Sequence, residues 1–198
     1  MTDSKKFDLI VIGGGPGGYV GAIRASQLGK KVAVIEKENL GGVCLNWGCI
    51  PTKALLRAAE LKQNISHLGE FGIDIKGEIE INLERVVARS RKVAQRLSGG
   101  VSHLMKKNKI SVFNGVAKIE KKTPIGWQIA VSEKNDLFLE APNILLATGA
   151  RAKQISGVEA DEDKIVTYRD AMVPKTMPKS LLVIGSGAIG IEFASFYN

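Results

Sequence analysis

Phe7-Asp8-Leu9-Ile10-Val11-Ile12-Gly13-Gly14-Gly15-Pro16-Gly17-Gly18 sets an unbroken aliphatic run directly against a glycine-rich turn. Aliphatic runs that do not alternate with polar residues suit strands buried on both faces, as in a parallel sheet covered by helices. Small residues at helical spacing follow, and Lys31-Val32-Ala33-Val34-Ile35 then forms a second strand ending in Glu36. Strand, glycine turn, helix and strand make a βαβ unit, so the chain reads as α/β with a parallel sheet. Within it, Gly13-x-Gly15-x-x-Gly18 allows a tight turn, close backbone approach to a pyrophosphate and a close helix–strand contact. The helix N-terminus adds unpaired N–H groups and a positive dipole end. Glu36, about 20 residues past the turn, is placed to accept a hydrogen bond from a ribose 2′-OH and to repel a 2′-phosphate. The expectation is a dinucleotide site.

The same layout recurs at Ser180-Leu181-Leu182-Val183-Ile184-Gly185-Ser186-Gly187-Ala188-Ile189-Gly190, which predicts a second strand and a second nucleotide unit. Between the two, Pro51 to about Ile65 and Leu83 to Lys107 carry apolar residues at helical spacing and read as a helical pair. From Ile110 to Thr148 the pattern becomes β-type, with runs at Ile110–Phe113, Trp127–Val131 and Leu137–Leu139. Residues 151–178, with Pro174 and Pro178, read as a connector. The predicted division is therefore 1–150, 151–178 and 179–198.

The 198 residues are 44% hydrophobic and 24% charged, the balance of a globular chain with a real core, and no aliphatic run approaches the ~20 residues of a membrane span. Met1 to Lys6 is polar and has no apolar segment of a signal peptide, so the expected compartment is the cytoplasm. The net charge of +8 is spread over pairs such as Lys30-Lys31 and Lys121-Lys122, without interleaved aromatics or a zinc spacing. Solvated turns and helix ends explain it better than nucleic acid. Neither nucleic acid nor membrane is an expected partner.

Gly41-Gly42-Val43-Cys44-Leu45-Asn46-Trp47-Gly48-Cys49-Ile50-Pro51-Thr52-Lys53 holds both cysteines. Two thiols at this spacing give half a metal site, and His67 and His103 lie in no partner motif, so no metal is expected. Pro51 suits the first turn of a helix, which puts Cys49 at its N-terminus, where the dipole favours thiolate. Five positions of regular helix would part the two Cα atoms by about 7.5 Å, too far for a disulfide, so the helix must be distorted for the sulfurs to meet. Gly48 permits that distortion. A bridge closing so short a loop stabilises by only about 2 kcal/mol, which favours reversible thiol chemistry over a structural role.

The block Gly41 to Leu56 resembles the redox-disulfide segment of the dihydrolipoamide dehydrogenases, within class I of the pyridine nucleotide-disulfide oxidoreductases. Asn114-Gly115-Val116-Ala117, Ala147-Thr148-Gly149-Ala150 and both glycine turns extend the resemblance over the whole chain. It implies a Rossmann-like FAD-binding domain, with a parallel sheet and a small antiparallel β segment, followed by the start of an NAD-binding Rossmann domain. FAD would be held by Gly13, Gly15, Gly18, Glu36, Lys37, Gly42, Val43, Cys44, Lys53, Ala117, Thr148, Gly149 and Ala150. Gly185, Gly187, Gly190 and Glu192 would belong to the NAD side. By the same resemblance Cys44 and Cys49 form the redox disulfide. Cys49 would face the flavin, and Cys44 would exchange with dihydrolipoamide carried on a lipoyl domain of a 2-oxoacid dehydrogenase complex core. A Lys53–Glu192 ion pair near the flavin and a homodimer are further implications. Trp47 departs from the small aliphatic residue of many members and is expected to alter packing more than chemistry.

Glutathione and mercuric reductases share the cysteine spacing but usually carry Val where this chain has Leu45 and Ile50, which favours the lipoamide enzymes. The chain stops at Asn198, soon after Gly190, whereas a βαβ unit takes about 30 or more residues. It is expected to be an N-terminal fragment, without the residues that choose NAD over NADP or the acid/base pair. Such a fragment would be inactive in turnover and at most a flavin-binding module.

Overall fold

The computed structural model describes residues 4–132 and 137–198. They fall into two compact units, one from Met1–Asn46 with Gln95–Arg151, the other from Trp47–Ala94 with Ala152–Asn198.

The first unit is built on two four-stranded sheets. Strands β1 (Lys5–Lys6), β2 (Leu9–Ile12), β3 (Val32–Glu36), β4 (Ser111–Asn114), β5 (Ala117–Thr123), β6 (Gly126–Val131), β7 (Phe138–Ala141) and β8 (Asn143–Leu146) supply them. One sheet runs β4-β3-β2-β8, every pair parallel, with Ile10 beside both Ala33 and Ile144. Helix α1 (Pro16–Gln27) makes the crossover from β2 to β3 and packs on both. Ile10, Val11, Val32, Val34 and Ile35 are at most 2% exposed, as strands covered on both faces require. The other sheet runs β1-β7-β6-β5. It is antiparallel apart from the short β1–β7 pair. The α/β architecture with a parallel sheet and a mainly antiparallel one is as expected from sequence, but the antiparallel part, expected to be small, has as many strands as the parallel one. A core of Phe7, Ile10, Ala33, Ile35, Ile129, Val131, Leu139 and Ala141 draws on both sheets.

Helix α2 (Gly42–Trp47) ends at the boundary of this unit, and α3 (Cys49–Ser66) opens the second. Helix α4 (Leu83–Lys107) begins with its Arg85 N–H bonded to Asn82 Oδ1 (2.9 Å) and turns Ser90, Ala94, Val101 and Met105 inward. Both helices of the expected pair are thus present. The second unit is completed by α5 (Tyr168–Met172), opened by a Thr167–Asp170 capping box, and α6 (Ala188–Tyr197). Leu55, Met172, Phe193 and Phe196 form its core. From Ile73 to Ile81 the chain has no regular structure, and Ile73, Ile75, Ile79 and Ile81 are each about half exposed between charged neighbours. No described helix is long and apolar enough to cross a membrane.

One expectation is overturned. Leu181–Ile184 forms no strand; Leu182 is 85% and Ile184 63% exposed. A β-strand exists only where a neighbour completes its hydrogen bonds, and among the described residues none pairs with this run.

Candidate functional site

The loops that leave the carboxyl ends of β2, β3, β4 and β8 gather at one edge of the parallel sheet. Open α/β sheets bind ligands at that edge. The glycine turn after β2 is locked by contacts that admit no side chain. Gly13 has φ +101°, and a Cβ there would lie 2.2 Å from the Ala147 oxygen. A Cβ at Gly18 would come within 1.9 Å of the Gly13 oxygen, so helix α1 returns against its own turn. Gly15 differs. It caps α1, and a Cβ on it would meet only the Gly42 Cα at 3.8 Å, an ordinary contact. The protein leaves open the space above Gly15, at a helix N-terminus whose unpaired N–H groups suit a pyrophosphate. A dinucleotide phosphate therefore fits here.

Glu36 ends β3 beside this turn. Its Oε2 accepts the Gly14 N–H (2.6 Å) and its Oε1 the Glu38 N–H (2.8 Å), which holds the carboxylate at the turn. Gly115 N–H donates to the Glu36 carbonyl (2.9 Å), bringing the Asn114–Ala117 segment to the same edge. Ala147 N–H bonds to the Ile12 carbonyl (2.9 Å), so exposed Thr148, Gly149 and Ala150 follow from there. Gly42, at φ +57°, approaches so closely that a Cβ would sit 2.7 Å from the Gly15 Cα. Val43 and Lys37 are exposed beyond it. The structure thus gathers Gly13, Gly15, Gly18, Glu36, Gly42 and the segments beginning at Gly115 and Ala147.

Sequence reasoning missed Asn46. It is buried, and its Nδ2 donates to the Leu40 (3.0 Å) and Gly42 (2.9 Å) carbonyls, while Ser98 Oγ donates to the same Leu40 carbonyl (2.6 Å). The signal was available, since an amide among the apolar neighbours Leu45 and Trp47 needs partners when buried.

In the second unit, Gly48 (φ −143°, ψ −119°) lies outside helical geometry between α2 and α3, the break expected there. Pro51 is buried in the first turn of α3, and Thr52 N–H bonds to the Gly48 carbonyl (3.0 Å). Cys49 is the first residue of α3 and exposed; Cys44 lies in α2 and is half-buried. The two sulfurs are not joined in this structure.

Lys53, one turn beyond Cys49, pairs with Glu192 of α6, the ion pair anticipated from sequence. Its hydrogen bond to Glu192 holds the ammonium pKa above the ordinary value of 10.5. Slight desolvation opposes this, and the charges of Glu192 and Cys49 reinforce it. The second glycine turn repeats the first in its backbone. Gly185 has φ +107°, Gly187 caps α6 in extended geometry as Gly15 caps α1, and a Cβ on Gly190 would press on the Gly185 oxygen at 3.0 Å.

A family model for pyridine nucleotide-disulphide oxidoreductases matches residues 7–198. The chain belongs to that family. Among curated relatives, the dihydrolipoyl dehydrogenase of Zymomonas mobilis is 52% identical over 191 residues, covering 96% of this chain and 40% of the relative. That of Rhizobium etli is 48% identical over 207 residues, covering 98% of this chain and 43% of the relative. The crystal structure of LpdA from Mycobacterium tuberculosis superposes with a TM-score of 0.84 at 26% identity, covering 96% of this chain and 42% of that one. The flavoprotein disulfide reductase RclA of Escherichia coli, described as HOCl-induced, gives 0.75 at 25% identity, covering 96% and 39%. The chain spans about 40% of the length of the curated relatives it matches. An oxidoreductase and flavoprotein assignment follows from the family, whose cofactors are FAD and NAD.

Proposed function

We propose that this chain carries the FAD site and the redox thiols of a dihydrolipoyl dehydrogenase, which oxidises dihydrolipoamide with NAD as acceptor. The observation that carries the reading is the single sheet edge where Gly15, Glu36 and the loops after β4 and β8 meet beside Gly42, two residues before Cys44. The turn of Gly13, Gly15 and Gly18 would cradle the pyrophosphate and Glu36 the adenosine ribose, with Lys37, Gly42, Val43, Lys53, Ala117 and Thr148 to Ala150 as further flavin contacts. Gly185, Gly187, Gly190 and Glu192 would lie on the NAD side. FAD, when bound, supplies a two-electron relay to the nicotinamide. The proposed domains are 1–150 for FAD, 151–178 as connector and 179–198 opening the NAD domain.

The thiol step is balanced without further reagents. In the oxidised chain, one thiolate of dihydrolipoamide attacks the Cys44 sulfur, forming a mixed disulfide and releasing Cys49 as thiolate. The second thiolate of dihydrolipoamide then displaces Cys44, giving lipoamide and the Cys44–Cys49 dithiol. A base must take the substrate protons. His67 is engaged with Glu70 (3.0 Å), and His103 stands exposed on α4. The same reading makes the substrate a lipoyl domain of a 2-oxoacid dehydrogenase complex and the whole enzyme a homodimer.

The test uses the chain oxidised at its two cysteines. Dihydrolipoamide is expected to reduce it with one lipoamide formed per chain; in Cys49→Ser offered oxidised lipoamide instead, the Cys44 thiolate is expected to open the lipoyl disulfide and hold one sulfur as a mixed disulfide while the other leaves as thiolate. Faster reduction by glutathione than by dihydrolipoamide, or trapping on Cys49 in Cys44→Ser alone, would overturn the reading.

A further inference from the structure

Trp47 ends α2 and immediately precedes Gly48, the point where the helix breaks between the two cysteines. Two guanidinium groups converge on its ring. Arg91 of α4 places Cζ 4.2 Å from the ring centroid, and Arg169 of α5 places Cζ 5.2 Å from it. Both distances fall within the roughly 6 Å range of cation–π attraction. Neither arginine is loosely held: Arg91 Nη1 reaches Met172 Sδ (3.2 Å), and Arg169 Nε reaches the Tyr168 hydroxyl (3.4 Å). Arg91, Arg169 and Trp47 are all half-buried, and Trp47 packs against the Leu55–Met172–Phe193–Phe196 core.

Two like charges gathered on one side chain repel, and a ring whose π-face attracts both offsets that repulsion. An aliphatic residue would fill part of the volume and supply none of the attraction. The ring therefore ties the residue before Gly48 to α4, to α5 and to the core between them. Disulfide closure accepts only a narrow range of Cα separations and torsions. A glycine junction left to itself would spread over many arrangements, most of them unable to close. Fixing one end of that junction raises the fraction that can.

We propose that Trp47 is a positioning residue for the thiol pair: held by Arg91 and Arg169, it sets the α2–α3 junction so that Cys44 and Cys49 are pre-arranged to exchange dithiol for disulfide. This rests on the redox reading of the pair given above. It also assigns a chemical consequence to a residue whose effect was expected to be one of packing.

The measurement is the equilibrium of the full chain with glutathione, read by alkylating and weighing the thiols. Each chain gives two electrons and two protons to one oxidised glutathione, yielding the Cys44–Cys49 disulfide and two reduced glutathiones. Trp47→Leu is expected to lower the equilibrium constant for disulfide formation by about tenfold, the scale of two partly desolvated cation–π contacts. Trp47→Phe, which keeps a π-face, is expected to stay within about threefold of the parent. If Trp47→Leu fails to fold, the Arg91→Gln, Arg169→Gln pair with Trp47 intact reads the same quantity and is expected to show a similar loss. In that background, replacing Trp47 by Leu is expected to add little, as coupled residues behave in a cycle. Trp47→Leu within about twofold of the parent, equal losses for Leu and Phe, or additive losses in the cycle would each overturn the proposal. Failure of dihydrolipoamide to reduce the pair would overturn the substrate reading and leave this equilibrium unaffected.

Discussion

Gly15 and Gly18 sit three positions apart, yet the first faces open space and the second faces a carbonyl oxygen that a methyl group would strike at 1.9 Å. They therefore respond oppositely to alanine. Gly18→Ala is expected to destabilise the chain by about 2 kcal/mol or more, as a buried overlap with no room to relax does. Gly15→Ala is expected to keep stability within about 1 kcal/mol, the scale of a changed N-cap, and to weaken FAD binding more than about tenfold. Urea titration and flavin fluorescence separate the two effects. Of the residues at this edge, Gly13, Gly18 and Glu36 were legible in the sequence because a turn of fixed conformation dictates them locally. Ser98 was not, because the Leu40 carbonyl it reaches lies far away along the chain, whereas Asn46 had a local signal that went unread.

The two glycine turns show what an element adds to a motif. Both adopt the same backbone, but β2 is flanked by β3 and β8 while Leu181–Ile184 pairs with nothing described. Hydrogen exchange is expected to find the amides of Ile10 to Ile12 protected at least about a hundredfold more than those of Leu182 to Ile184. Similar sequence thus gave the turn and the following helix correctly but not the strand, whose existence depends on neighbours. The same dependence hid β5 and β8. Most of β5 is exposed and polar, reading Ala117-Lys118-Ile119-Glu120-Lys121-Lys122-Thr123, and β8 pairs with β2 across more than half the chain. The long helices α3 and α4, whose periodicity is local, were legible almost to their ends, whereas the short α5 lay inside the stretch read as a connector. Helix α6 also carries a pH-sensitive contact. Tyr197 donates its hydroxyl proton to the Ala171 carbonyl (2.5 Å), and burial pushes its pKa from 10.0 to about 12. Folding favours the neutral phenol. Its contribution is therefore complete below pH 10 and is lost as pH rises toward 12. The urea midpoint is expected to fall across that window, and less in Tyr197→Phe.

At the scale of the molecule, a ligand that binds only the folded chain stabilises it by mass action. FAD at a hundredfold its dissociation constant is expected to raise the unfolding free energy by about 2.7 kcal/mol. Glu36→Ala is expected to lose most of that gain at the same FAD concentration, and calorimetry with and without FAD checks both. Elsewhere the chain must also stay apart from its own copies. Between Ile73 and Ile81 four half-exposed isoleucines alternate with Asp74, Lys76-Gly77-Glu78 and Glu80, and no proline interrupts them. Such β-branched alternation is the raw material of cross-β stacking, and interleaved charges act as gatekeepers against it. Glu78→Val with Glu80→Val is expected to turn a soluble preparation into one that seeds fibrils at neutral pH, visible as thioflavin fluorescence. The charges that break this stretch into short apolar steps then set the concentration at which the protein can be stored.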